Sequence, residues 1–118
     1  MRDFKKLDIW KNGITLVQKI YEIAEQLPAN EKFGLRSQIT RAAISIPSNV
    51  AEGCSRNSQI EFKRFLEIAM GSLFELETQL IIANELKLIN PIALDVTFSL
   101  IEKEAKMINS LIQKIKNS

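Results

Sequence analysis

Apolar residues recur at three- and four-residue spacing along nearly the whole chain, which is the period of an amphipathic helix. The pattern predicts four helices, over residues 8–27, 33–52, 58–87 and 91–116. The connections between these segments are short, and no segment has the composition of a linker. We therefore expect a single domain over residues 1–118 with an all-α fold, an antiparallel up-down four-helix bundle.

The ends of the predicted helices carry capping residues. Asp8 is predicted to cap the first helix, and Ser58, followed three residues later by Glu61, forms a capping box at the start of the third. Pro91 suits the first position of the fourth helix. Gly53 suits a left-handed residue that would close the second helix.

Pro47 lies inside the second predicted helix. A proline there removes one backbone hydrogen bond and clashes with the preceding turn. The sequence therefore predicts a second helix that is kinked near Pro47, or briefly broken, at residues 43–46. Ser45, Ser48 and Asn49 are close enough in sequence to satisfy the freed backbone groups, which is an alternative to any binding role for them.

A row of polar residues lies beside the apolar face of the second helix, and a row of opposite charge lies along one edge of the third. We predict that the two rows meet, with Arg41 paired to Glu75 or Glu61, and Arg64 paired to Glu52. Such a pair adds little net stability but disfavours wrong helix registers. We call the two rows the polar seam, which comprises Gln38, Arg41, Ser45, Asn49, Glu52, Glu61, Ser72 and Glu75.

The third and fourth helices also carry apolar residues outside their predicted core faces. Extended apolar surface of this kind usually marks an interface, so we expect an oligomer. The residues predicted at the oligomer interface are Val96, Leu100, Met107, Leu111, Met70, Phe74 and Ile81. At helical spacing, such Met and Phe residues indicate packing rather than a cofactor site.

The run from Gln38 to Gly53 has the pattern Gln-x-x-Arg-Ala-Ala-x-Ser-x-x-x-Asn-x-Ala-Glu-Gly, and Glu61-Phe62, Phe65-Leu66, Ala69, Gly71-Ser72 and 75–77 follow it. This pattern resembles the four-helix-bundle family of 23S rRNA intervening-sequence proteins. The resemblance extends from Leu7 to about Ile112. It implies a homopentameric ring, and a relationship to the accessory proteins of diversity-generating retroelements, which bind a reverse transcriptase and nucleic acid.

The composition argues against several classes of function. The chain has no histidine and one cysteine, Cys54, so we expect no catalytic histidine pair, no zinc site and no cofactor. There is no glycine-rich phosphate loop and no paired-carboxylate site on one helix face, and we expect no enzymatic activity. The amino terminus is charged and no run of about 20 apolar residues occurs, which predicts a cytoplasmic protein without a membrane segment.

The formal net charge of +2 is too small to indicate nucleic-acid binding by itself. A ring would repeat a small basic patch around its circumference, which favours binding of RNA or DNA phosphates. The residues predicted to contact nucleic acid are Arg36, Arg56, Lys63, Arg64 and Lys32. The turn over residues 53–58 offers amides and hydroxyls to a phosphate, although these groups are equally normal in a solvated turn.

A protein partner is the alternative to nucleic acid. In that case the chain is a structural or interaction scaffold, in which Glu67, Glu77 and Glu85 and exposed apolar positions contact the partner. Cys54 lies beside Gly53 and Arg56, an environment that can lower a thiol pKa. We favour the simpler interpretation that Cys54 is a small residue without a reactive role.

Overall fold

The computed structural model describes residues 2–118 and contains four long helices. They are α1 (Asp8–Ala24), α2 (Leu35–Cys54), α3 (Gln59–Glu85) and α4 (Pro91–Lys116), with single turns of 3-10 helix at Phe4–Lys6 and Ala29–Glu31. Each helix packs on its neighbours in sequence, and α4 closes the bundle against α1. The predicted four-helix bundle is therefore confirmed; it measures 45 × 23 × 20 Å.

The core contains apolar side chains from all four helices at the predicted helical spacing. Each fully buried Leu or Ile side chain contributes about 1.5–3 kcal/mol to stability relative to its exposed state. Asn12 and Glu104 are polar, yet they are buried among these side chains. The largest fully buried apolar residues are Leu16, Ile20, Ile39, Ile46, Leu66, Leu73, Leu76, Leu80, Leu94, Ile101 and Ile108.

Two of the predicted helix starts are confirmed. The Ser58 hydroxyl accepts a hydrogen bond from the backbone N–H of Glu61 at 3.1 Å, and the Glu61 carboxylate accepts one from that hydroxyl at 3.3 Å. Pro91 lies in the first turn of α4, where the Asn90 side chain accepts from the Ile92 N–H at 2.9 Å. These contacts satisfy backbone donors that have no partner within the helix.

The structure begins α1 at the predicted residue, but the predicted N-cap is wrong by one residue and the predicted end by three. Leu7 is the N-cap, and Asp8 lies in the first helical turn without a capping hydrogen bond. A carboxylate in that turn still interacts favourably with the helix dipole. At the other end the helix stops at Ala24, and the chain turns before Pro28.

The second helix departs from prediction at two points. It is continuous through Pro47, so the predicted break is absent, while the kink stays a prediction. Gly53 is not a left-handed cap: it is buried within the helix, which continues to Cys54, and its φ is not positive. Close contact with α3, described below, is the structural reason for glycine at this position.

The polar seam forms hydrogen bonds rather than the predicted ion pairs. The Ser45 and Ser72 hydroxyls lie 2.8 Å apart, joining α2 to α3. The Asn49 amide donates to the Ser45 carbonyl at 2.8 Å and to the Ser45 hydroxyl at 2.9 Å. The middle of the seam is thus a local hydrogen-bonded network, which agrees with the structural role considered for Ser45 and Asn49.

The ion pairs predicted for the seam are wrong. Within residues 2–118, neither Arg41 nor Arg64 forms an ion pair, and Glu52 pairs with Arg56 at 3.4 Å. Arg56 lies four residues after Glu52, in the turn that follows α2, so this partner is close to Glu52 along the chain. Of the remaining seam residues, Gln38 is exposed, and Glu75 accepts a hydrogen bond from Gln79 at 3.4 Å.

Candidate nucleic-acid interface

The two chain termini and the turn between α2 and α3 meet at one end of the bundle. The backbone N–H of Arg2 donates to the Cys54 carbonyl at 3.4 Å, and the Arg2 guanidinium donates to the Arg56 carbonyl at 3.5 Å. Arg2 also lines a shallow cavity together with Phe62 of α3 and Lys114 of α4. Residues far apart in sequence therefore share one surface.

The opposite end of the bundle contains the end of α1 and the starts of α2 and α4. The Arg36 guanidinium donates to the Ala24 carbonyl at 2.9 Å, which satisfies a backbone acceptor at the end of α1. The Gln26 side chain accepts from the Asn90 N–H at 3.4 Å. These contacts fix which residues lie at each end.

Charge is distributed unequally between the two halves of the bundle. Dividing each helix near its middle, the half with the termini comprises residues 2–15, 46–71 and 105–118. It contains 10 Lys and Arg against 5 Asp and Glu, a formal net charge of +5, whereas the other half, residues 16–45 and 72–104, contains 6 against 9, or −3. We call the positive half the basic end; its cations are Arg2, Lys5, Lys6, Lys11, Arg56, Lys63, Arg64, Lys106, Lys114 and Lys116.

Some cations of the basic end have intramolecular partners. The Arg2 guanidinium lies 4.0 Å from the centre of the Phe62 ring, and that of Arg56 lies 4.9 Å from the centre of the Phe65 ring. Arg56 also pairs with Glu52, and Lys106 pairs with Glu102 at 3.0 Å. Within residues 2–118, the other cations of the basic end form no ion pair, and they are Lys5, Lys6, Lys11, Lys63, Arg64, Lys114 and Lys116.

The five cations predicted to contact nucleic acid do not form one patch. Arg56, half-buried Lys63 and exposed Arg64 lie at the basic end. Lys32 and Arg36 lie at the other end of the 20-residue α2, about 30 Å away at 1.5 Å per residue. Lys32 is exposed with its ammonium 5.5 Å from the Phe33 ring centre, and Arg36 is engaged at the end of α1.

The sequence reasoning missed the lysines near both termini. Lys5, Lys6, Lys114 and Lys116 are separated by more than 100 residues, so a sliding count of charge cannot combine them. Their common location depends on the up-down topology, which places the start of α1 beside the end of α4. Placing the charged residues on the predicted up-down bundle would have shown that these four lysines lie at the same end.

The turn over residues 53–58 uses its polar groups internally. Ser58 caps α3, and the Ser55 hydroxyl donates to the Glu52 carbonyl at 2.6 Å. Cys54 is buried, and this burial raises the pKa of its thiol despite the opposing effect of Arg2. Cys54 therefore lacks the lowered pKa that makes a cysteine thiol reactive.

The residues predicted at the oligomer interface fall into two groups. Phe74, Ile81 and Val96 are exposed by 55%, 47% and 53%. The others are partly buried against the core, and they are Met70, Leu100, Met107 and Leu111. Of the seven residues predicted at the oligomer interface, Phe74, Ile81 and Val96 therefore expose the most apolar surface.

Neither a metal-binding cluster nor a membrane-spanning helix occurs within residues 2–118. No three Asp, Glu or Cys side chains within residues 2–118 come together in a way that could hold a metal ion. Over the same residues, every helix is too short or too polar to cross a bilayer.

The protein is an all-helical bundle with a partly buried polar network between α2 and α3 and a basic end. Residues 5–110 match the family described as 23S rRNA-intervening sequence protein, which covers most of the chain. The chain belongs to this family, as the sequence pattern predicted. No curated protein shows a significant match to the chain.

Proposed function

We propose that this protein is a non-catalytic, cytoplasmic, oligomeric binding module that attaches to the phosphate backbone of RNA or DNA through its basic end. The observation that supports the proposal is the separation of charge along the bundle, +5 against −3. Neutralising phosphates releases their condensed counterions, so exposed lysines and arginines at one end provide affinity without reading a base sequence.

Assembly would strengthen such binding. In a closed ring every subunit is related by rotation, so each basic end lies at the same height along the ring axis. Several weak cationic surfaces would then act on one nucleic-acid strand as a multivalent site. The resemblance to the family is the source of the number five, and the exposed Phe74, Ile81 and Val96 support assembly of some kind.

The experiment compares two charge-removing double variants with the unaltered protein. Arg64→Gln with Lys116→Gln removes two exposed cations from the basic end, and Lys32→Gln with Arg41→Gln removes two from the opposite half. Each pair removes one arginine and one lysine, so the change in net charge is the same. Fluorescence anisotropy with a labelled structured RNA, a single strand and a DNA duplex, each at 50 to 200 mM salt, gives affinity and salt dependence.

The proposal predicts that the basic-end variant binds roughly 3- to 10-fold more weakly and has a shallower salt dependence, while the opposite-half variant changes less than about 2-fold. Equal weakening by both variants would show that net charge alone is responsible. Absence of binding by the unaltered protein at 50 mM salt would refute the nucleic-acid role.

A protein scaffold is the second candidate. Phe74 and Ile81 are exposed on α3, and Glu67, Glu77 and Glu85 lie on the same helix, as expected for a surface that contacts a subunit or another protein. Light scattering coupled to size-exclusion chromatography tests the assembly part. Phe74→Lys with Ile81→Lys is expected to lower the molar mass of the particle, whereas Ile92→Lys, at a more exposed position that is not among the predicted interface residues, is expected to leave it unchanged. A monomeric unaltered protein would refute the assembly.

A further inference from the structure

Glu104 is a buried carboxyl group at the middle of α4. Its side chain is fully shielded from solvent, and its Oε1 accepts a hydrogen bond from the Asn12 amide of α1 at 3.0 Å. The same amide donates to the Leu100 carbonyl at 3.3 Å. Within residues 2–118, Glu104 Oε2 has no hydrogen-bond partner.

Apart from Asn12, the residues that pack directly against Glu104 Oε2 are uncharged. From α1, Gly13 lies against it: a Cβ on this glycine would be 3.4 Å from Glu104 Oε2. The same Cβ would be 3.3 Å from the Cβ of Pro47, the α2 residue that packs at this point. Glycine and proline offer only uncharged, apolar contact.

Charged side chains occur nearby only at the margin of this contact. Asp8 and Lys11 of α1 and Lys103 of α4 line a cavity of about 370 Å³ between the two helices, and Asn12 lines it as well. None of them forms an ion pair with Glu104. The cavity can hold several water molecules, since one occupies about 30 Å³ in the liquid.

The protonation of Glu104 follows from this environment. Burial raises the pKa of its carboxyl to about 7, because desolvation outweighs the hydrogen bond from Asn12 and the attraction of Lys103, which both lower it. The chain has no histidine, so no imidazole titrates in the same range.

We propose that Glu104 and Asn12 form a proton-sensitive contact between α1 and α4. With the carboxyl protonated, the two helices pack closely around it. The ionised carboxylate draws water from the adjoining cavity past Asn12, and the contact loosens. This role does not depend on nucleic-acid binding, because it rests on a buried side chain rather than on the exposed cations of the basic end.

The direction of the effect follows from linkage. In the unfolded chain the carboxyl ionises at its ordinary pKa of about 4.5, whereas in the folded chain it keeps its proton up to a pKa of about 7. Between these values the folded state binds the additional proton, so stability falls as pH rises and levels off only once the pH has passed the folded pKa. The folding equilibrium constant should fall on the order of 100-fold across the interval.

Glu104→Gln tests the proposal, because glutamine keeps an oxygen that accepts from Asn12 and remains uncharged at every pH. In urea unfolding from pH 4.5 to 8.5, the free energy of unfolding of the unaltered protein should decline as pH rises, and that of the variant should not. The two proteins should have similar stability at pH 4.5, and the variant should be the more stable one at pH 8. All other titrating groups are common to both proteins. Parallel pH profiles would overturn the proposal.

Two measurements on the unaltered protein do not depend on whether the variant folds. Carbon-13 NMR of labelled glutamate carboxyls should reveal one group that titrates near pH 7, and titration of every carboxyl below pH 5.5 would overturn the proposal. The loss of global stability alone should raise hydrogen exchange, corrected for intrinsic rates, about 10-fold in all four helices between pH 6 and 8. Local loosening predicts a larger increase around residues 9–16 and 101–108 than in α2 and α3. A uniform increase over all four helices would contradict loosening at this contact.

Discussion

Gly53 of α2 lies so close to Phe65 of α3 that a Cβ on the glycine would be 2.8 Å from the Cβ of the phenylalanine. The same atom would lie 3.0 Å from Cδ1 of Phe62. The obstructing Cβ is attached directly to the backbone, so the helices themselves would have to separate. Gly53 is therefore required for the approach of the two helices.

Gly53→Ala is expected to destabilise the protein by about 1–3 kcal/mol, because overpacking outweighs the gain of up to about 1 kcal/mol in helix propensity. Gly71 is the matched control, since a Cβ there meets no atom within 4 Å. Gly71→Ala should stabilise by a few tenths to about 1 kcal/mol. Urea unfolding measures both, and equal effects would contradict the packing explanation.

Arg36 is expected to stabilise the end of α1 through its hydrogen bond to the Ala24 carbonyl. A hydrogen bond from a charged group contributes about 1.5–3 kcal/mol, and solvent at this partly buried position reduces that value, so Arg36→Met should cost about 1–2 kcal/mol. Arg41→Met makes the same replacement at an exposed arginine without an ion pair, and should change stability by less than about 0.5 kcal/mol.

Thermal unfolding compares the two arginine variants directly. A loss at Arg41 as large as that at Arg36 would restore the packing role predicted for Arg41 in the polar seam. A change in molar mass would instead indicate that Arg41 has a partner outside the single chain.

Lys87 adopts a left-handed backbone conformation, with φ of 58°, just after α3. Its N–H donates to the Asn84 carbonyl and that of Leu88 donates to the Ala83 carbonyl, a helix-ending arrangement that usually contains glycine. Lys87→Gly is therefore expected to stabilise by about 0.5–1 kcal/mol. Glu85→Gly, within the helix, should instead destabilise by about 1 kcal/mol, and chemical unfolding distinguishes the two signs.

Cys54 is expected to react slowly with a thiol reagent in the folded protein. Burial shields the sulfur and raises the pKa of the thiol, so little thiolate is present at pH 7 to 8. Labelling with Ellman's reagent should be at least about 100-fold slower than in urea. Arg2→Ala should accelerate it, because the variant loses the guanidinium that donates to the Arg56 carbonyl and lies over Phe62. Rapid labelling of the unaltered folded protein would contradict the buried position.

The bundle and two of its helix starts could be predicted from the sequence, because apolar spacing and capping residues are local signals. Ser58 with Glu61, and Asn90 with Pro91, satisfy their backbone groups within three residues of the helix start. The predicted pairing of Arg41 failed because the spacing of residues along two helices does not place a long, exposed side chain against one particular carboxylate. Glu52 instead pairs with Arg56, four residues later in the turn after α2.

The buried carboxyl was missed for a different reason. Ile101, Glu104 and Ile108 have the three- and four-residue spacing of a core face, but a glutamate is ordinarily exposed and is therefore not expected at a core position. Asn12 similarly falls between Ile9 and Leu16 on α1. A polar residue at a core position on each of two neighbouring helices is a signal that could have identified the pair.

The unequal charge of the two halves also gives the molecule a permanent electric dipole along its 45 Å axis. A dipole of this kind turns in the field of a polyanion before any contact forms, so the approach to a phosphate-rich surface becomes end-on rather than random. Added salt screens this field over about 10 Å at 0.1 M, and the alignment then weakens together with the association rate. The same bundle therefore has a preferred direction of approach at low ionic strength and nearly none at high.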